Sequence, residues 1–180
     1  TKNDEVSQVL NILNNWNYET DSLAIGVQYA LDAIKPVYNP DDYIYDYELI
    51  MKRLKVSIKK TKDHFGKFDI RWGDIQRLKR GSKNLALSGG PDILRAIYTT
   101  GDKGQRTAIA GDCYFQIVEW SSKGKVSSQS IHQFGSATLD SSSTHFNDQA
   151  SLFSTNKMKP VWMSLKAVSY THLTLPTMCV

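Results

Sequence analysis

GDCYFQIVEW (Gly111–Trp120), SSKGK (Ser121–Lys125) and VSSQSIHQF (Val126–Phe134) form two extended runs around a glycine-containing turn. Phe115 and Ile117 alternate with Tyr114, Gln116 and Val118, and Trp120 closes the first run, so the pattern predicts a β-hairpin. Ile109, Cys113, Phe115 and Ile117 fall on one parity, and Tyr114, Val118 and Trp120 on the other. Both faces are therefore expected to be at least half covered, as in a sheet held between layers. LDSSST (Leu139–Thr144) then reads as a loop, and a helix is expected over Asn147–Asn156 with Leu152 and Phe153 inward.

Upstream of the hairpin the period changes from two to between three and four. Val6, Val9, Leu10, Leu13 and Trp16, behind Asn3 or Asp4 as caps, predict a short amphipathic helix. After the turn at NYETD, Asp21 or Ser22 is expected to cap a second helix with Leu23, Val27, Ala30, Leu31 and Ile34 on its apolar face, ended by Pro36. The two helices should pair as a hairpin. VYNPDDYIYD reads as a linker. Beyond it Tyr47, Ile50, Met51, Leu54, Ile58 and Phe65 mark one stripe of a longer third helix running to about Lys62.

The other face of that helix carries Lys52, Arg53, Lys55, Lys59, Lys60 and Lys62. Clustered cations attract phosphate by counterion release, which makes nucleic acid one reading. No aromatic stacking residues interleave with the lysines, and Asp41, Asp42, Asp46 and Glu48 lie just upstream. The run is read as a solvated face, with no nucleic-acid partner.

From Phe68 to Tyr98 the pattern is irregular. Gly81, Gly89 and Gly90 supply backbone freedom for turns, and Pro91 restricts the chain there. SGG could cradle a phosphate, but it lacks G-x-x-x-x-G-K-[ST].

The chain has 180 residues, 41% of them hydrophobic, and a formal net charge of +4. Such a length suffices for one core on a prior of roughly 100–200 residues per domain. No apolar run approaches the ~18 residues of a membrane-spanning helix. The sequence opens on Thr1, reaches its first methionine at Met51, and carries no basic and apolar leader, so a fragment is expected. VSYTHLTLPT (Val168–Thr177) is what GTC TCT TAT ACA CAT CTG ACG CTG CCG ACG encodes, and that DNA resembles a transposon-end sequencing adapter. Residues 168–180 are therefore expected to be a non-native tail, and residues 1–167 the protein proper. Setting the tail aside removes Cys179, leaves Cys113 as the single cysteine and excludes an internal disulfide.

Three constellations could carry chemistry. Cys113 with His132 or His145 would make a thiol–imidazole pair if the two groups touch; a small buried strand residue is the plainer role for Cys113. His145 with Asp148, and Asp140 beside them, could ligate a metal, although no further His or Cys completes a set. His145-Phe146-Asn147-Asp148-Gln149 is otherwise read as a polar knot that satisfies loop backbone.

The segment from Gly111 to Trp162 resembles the closing part of the β-chain of penicillin-acylase-type amidohydrolases. A Gly-Asp strand, a return ending in Phe-Gly, a Ser-rich loop, H-[YF]-x-D-Q-x-x-L-F and K-P-V-W are matched by Gly111, Asp112, Phe134, Gly135, His145, Phe146, Asp148, Gln149, Leu152, Phe153, Lys159, Pro160, Val161 and Trp162. The family's W-G-x-x-x-R-L-x-R-G and Gly-Gly-Pro-Asp segments are matched by Trp72, Gly73, Arg77, Leu78, Arg80, Gly81, Gly89, Gly90, Pro91 and Asp92. Their spacing resembles the branch that removes fatty acyl chains from homoserine lactones and lipopeptides.

The resemblance implies an α+β fold, as a fragment of a four-layer αββα N-terminal-nucleophile hydrolase. The helical N-terminal half would precede the β-hairpin and a C-terminal helix. It implies cleavage of linear amides by a serine freed at the start of the β-chain, its own α-amine serving as base and an Asn helping to hold the oxyanion. Those residues, with a supporting Arg, are expected upstream of Thr1. Trp72, Arg77, Gly89, Gly90, Asp112, His145, Asp148, Gln149, Pro160 and Trp162 are thus expected to be structural.

The implied partners are an α-chain, the N-terminal part of the β-chain and a small N-acyl substrate. A periplasmic or secreted location is implied, with calcium, if any, held elsewhere in the full-length enzyme. The fragment alone is expected to be inactive. The competing expectation is a free-standing basic binding module that shares only the fold.

Overall fold

The computed structural model describes residues 2–34, 46–101, 104–137 and 139–162. They fall into two compact units, 1–112 and 113–180. The architecture is α+β.

The first unit opens with α1 (Lys2–Asn14), α2 (Val27–Ile34) and α3 (Tyr47–Phe65). Val9, Tyr29, Ala33, Leu54 and Ile58 from all three helices form one core, flanked by Val6, Leu13, Ile50, Met51 and Phe68. The expected hairpin of the first two helices gives way to a three-helix packing in which α2 lies mainly against α3. Asp46 starts α3 by accepting a hydrogen bond from Leu49 N at 3.1 Å. Gly66, at φ 72°, ends it by returning its N–H to Lys62 O at 2.8 Å, so the helix runs to Phe65 rather than Lys62.

Several apolar residues fall outside the faces that periodicity assigns them. Asp21 draws the Leu23 N–H into a tight turn at 2.8 Å, and α2 begins only after Gly26 at φ 104°. The buried positions of α2 are consequently Val27, Gln28, Tyr29 and Ala33, while Leu23 and Ile34 are more than 60% exposed. Trp16 lies beyond α1, donating its indole N–H to Glu19 O at 2.7 Å, and Leu10 faces outward. Asp4 sits inside the first turn of α1 rather than capping it. Pro36 and the linker up to Tyr45 lie outside the described residues, as does the tail from Val168.

The segment expected to be irregular holds a sheet. After the short α4 (Trp72–Ile75) come β1 (Gln76–Arg80), β2 (Lys83–Ala86), β3 (Ile97–Thr100) and β4 (Arg106–Gly111), in the order β2-β1-β4-β3. Strands β1 and β4 are parallel, and the other pairs antiparallel. The β1–β2 turn passes through Gly81 at φ 59°. Its strands escaped the pattern reading because each has a single Leu among polar residues: Leu78, fully buried, faces Leu85 in register.

The second unit is the predicted hairpin, β5 (Tyr114–Trp120) and β6 (Val126–His132), extended by β7 (Lys159–Val161) in the order β5-β6-β7. The helix α5 covers only Ala150–Ser154, with Phe153 buried and Leu152 half-buried. The Phe115 and Phe153 rings lie 6.3 Å apart. The expected double cover of β5 is not met within this chain: Tyr114, Ile117 and Trp120 are 46, 51 and 72% exposed. Ile109 on β4 is likewise exposed, and Cys113 lies exposed between strands rather than buried within one.

Candidate functional site

The Trp72-Gly73 segment turns the chain from helices into sheet. Trp72 N donates to Ala24 O and Gly73 N to Ser22 O, both at 2.7 Å, which hangs α4 from the segment before α2. A Cβ on Gly73 would stand 2.8 Å from that of Ala86, so only glycine fits. The buried Trp72 indole donates to Gly89 O at 2.8 Å. Gln76 Nε2 reaches the carbonyls of Leu87, Ser88 and Gly89 at 3.0–3.2 Å. Arg77 binds Gly73 O at 2.7 Å and grips Asn84 through Oδ1 at 2.9 Å and its carbonyl at 2.7 Å.

Gly89 adopts φ 93°, where a Cβ would stand 2.6 Å from Arg95 O. Its N–H donates to Thr20 O, and that of Gly90 to Arg95 O. These donors are spent on the protein's own carbonyls, so the phosphate-cradle reading of SGG fails. Asp112 holds the far end of the loop by accepting from Ala96 N at 2.8 Å. Burial lowers the pKa of the Arg95 guanidinium, which the Asp112 charge opposes. Trp72, Gly89, Gly90 and Asp112 thus pin backbone around residues 87–97, and Arg77 that of Gly73 and Asn84.

In the second unit His145 Nδ1 and Asp148 Oδ2 are 2.9 Å apart, and the buried Gln149 accepts from His132 N at 2.9 Å and donates its own N–H to Phe134 O at 3.0 Å. Gly135 is pressed against the His145 carbonyl and Asp148, whose Oδ1 lies 2.6 Å from where a Cβ would stand. Asp140 turns to Ser142 N and Oγ at 2.9 and 2.6 Å, bonds that lower its pKa. Among the described residues no three His, Cys, Asp or Glu side chains converge. No hydrogen bond joins the Cys113 thiol to His132 or His145 among the described residues; His132 stacks obliquely on Tyr114 at 4.9 Å. Pro160 pairs with Gln129 at the sheet edge, and Trp162 is 60% exposed.

One constellation escaped the sequence. A cavity of about 620 Å³ opens in the first unit between α2, α3 and the strands β3 and β4. In it Arg106 grips both oxygens of Asp32 at 2.7 Å, and Ser57 Oγ donates to Asp32 at 2.7 Å. The guanidinium stands 5.8 Å from the Trp72 ring centroid. Gln28 lies buried at the inner wall. The site is built to hold charge. Ser57 is tied to a carboxylate already taken by arginine, and among the described lining residues there is no imidazole to serve it as a base. Residues 28, 32, 57 and 106 share no local motif; only folding brings them together.

Comparison with known proteins gives the family. The sequence profile described as penicillin amidase matches residues 3–169. The chain is 29% identical over 133 residues to the acyl-homoserine lactone acylase PvdQ of Pseudomonas syringae pv. tomato, covering 69% of this chain and 17% of that protein. The namesake from P. syringae pv. syringae is 27% identical over 144 residues, covering 76% and 18%. The P. fluorescens protein is 32% identical over 93 residues, covering 49% and 12%. The chain therefore spans less than a fifth of the length of these relatives. With nearly its whole length matched, the chain belongs to the penicillin amidase family, and its likeness lies with that family's acyl-homoserine lactone acylases.

Proposed function

We propose that this chain is the C-terminal portion of the β-chain of an amidohydrolase that cleaves linear amides in small N-acyl substrates, with acyl-homoserine lactones first among them. Lipopeptides and β-lactam side chains are the other members of that substrate class. In this reading a serine at the start of the β-chain, outside these residues, attacks the acyl carbonyl with its own α-amine as base. The chain supplies strands and covering helices to a four-layer αββα core in a periplasmic or secreted enzyme. The observation that carries the reading is the use made of the family-motif side chains. Trp72, Arg77, Asp112 and Gln149 each bond backbone carbonyls or N–H groups.

The test is turnover of an N-acyl homoserine lactone, followed by release of the free amine. The chain alone is expected to be inert, and a precursor carrying the upstream sequence active after self-cleavage. Turnover by the chain alone that disappears on Cys113→Ala would overturn the reading and move the chemistry to the thiol.

A further inference from the structure

The lysines of α3 do not share one environment. Lys59 pairs with Asp63 and Lys62 with Glu5, which spends their charge at the surface. Lys52 and Lys60 instead line the cavity with Arg53, and neither lysine has a carboxylate partner among the described residues. They project from the same helical face as Leu49 and Val56, since positions 49, 52, 56 and 60 follow the three- and four-residue spacing of one stripe. Leu49 and Val56 are 39 and 51% exposed although they sit in the middle of this face. Phe65 and Ile75 continue the apolar wall inward, to where Arg106 and Asp32 meet.

Among the described residues, four cations line the cavity, Lys52, Arg53, Lys60 and Arg106, and of these only Arg106 meets a carboxylate of a described residue, that of Asp32. A concave, low-dielectric wall lined by one sign of charge concentrates field and draws in the opposite charge. Exposed Leu and Val side chains between the lysines add a solvophobic surface that a bare ion would leave wet. The occupant that satisfies both has an anionic head and an apolar body. We propose that this cavity is a binding site for an amphipathic carboxylate, its head among Lys52, Arg53 and Lys60 and its chain against the apolar wall of Val56 and Phe65. A volume of about 620 Å³ accommodates a small ligand in the ordinary size range of such pockets. The proposal is independent of the amidohydrolase reading, because it concerns binding by this chain without turnover.

Dodecanoate, kept below its micelle concentration, is the probe, titrated calorimetrically into the full 180-residue chain. Each buried methylene contributes roughly fourfold in affinity, so dodecanoate is expected to bind at least tenfold tighter than octanoate, and acetate not at all. The Trp72 indole N–H resonance should move on binding, through Arg106, while that of Trp120 stays. Lys52→Glu with Lys60→Glu should weaken dodecanoate at least tenfold. Lys55→Glu with Lys123→Glu, of equal net charge but away from the cavity, should not. Both double variants alter exposed side chains, and circular dichroism verifies that the helices persist. Three outcomes overturn the proposal: affinity independent of chain length, as for an ion site; equal loss in both double variants, as for general attraction; or tighter binding of an aspartate-rich hexapeptide, which would make the cavity a seat for polypeptide.

Discussion

Tyr29 is the residue whose chemistry is most altered by the fold. It is fully buried, its hydroxyl donates to Phe68 O at 3.0 Å, and burial pushes its pKa up to about 12 from an ordinary 10. The unfolded chain therefore ionises Tyr29 first. Its contribution to stability is fully present below pH 10 and is lost as pH rises from 10 to about 12, by on the order of 3 kcal/mol. Tyr29→Phe is expected to remove that part of the alkaline slope, measured by denaturant unfolding between pH 9 and 12; an unchanged slope would show that the phenol carries no such linkage. Gly135 makes a second, steric case. Gly135→Ala drives a methyl into the His145 carbonyl and Asp148, and an overpacked site of this kind costs about 1–3 kcal/mol. The loss should appear as a lower unfolding midpoint with the denaturant slope unchanged. His145 and Asp148 were legible as a pair from their spacing, but their task was not, because the glycine they press upon lies ten residues back in the chain.

Elements with a single strong period were the ones that could be read. Helix α3 and the hairpin of β5 and β6 emerge where expected, although Tyr47 and Ile117 are 74 and 51% exposed, and Asp46 at the helix start is a cap by geometry as well as by type. Asp46→Ala should cost about 1 kcal/mol. Helix content and unfolding free energy, compared with Asp46→Asn, measure it: the Asn variant retains an acceptor for Leu49 N and should lose much less. The strands β1 and β2 were illegible for the opposite reason. QRLKR and KNLA present a single leucine each, and what makes them strands is their pairing and the Arg77–Asn84 contact across it. The parallel pairing of β1 with β4 joins residues thirty apart, a choice made by packing rather than by any local signal. Helix α2 was half legible. Its existence follows from periodicity, but Asp21 and Gly26 delay its start and so change which side chains are inside.

At the scale of the whole molecule the two units differ in how completely they satisfy themselves. The first has a closed core in which Val9, Tyr29, Leu54, Ile58 and Trp72 are essentially inaccessible. The second leaves a seven-residue strand at the end of its sheet, with Tyr114, Ile117 and Trp120 in solvent. An apolar edge strand is a surface that folded proteins cover or pair, and under the proposed function the rest of the hydrolase would do so. Local opening is easiest where apolar contacts are few. In the chain alone, the amides of Phe115, Ile117 and Val118 should exchange within minutes, while those of Leu54 and Ile58 in α3 remain protected for hours. Within the complete precursor the three β5 amides should slow by at least a hundredfold and those of α3 change little. Full protection of β5 in an isolated, monomeric chain would mean that the edge needs no partner, and the free-standing module would then describe this protein better than a piece of a larger hydrolase.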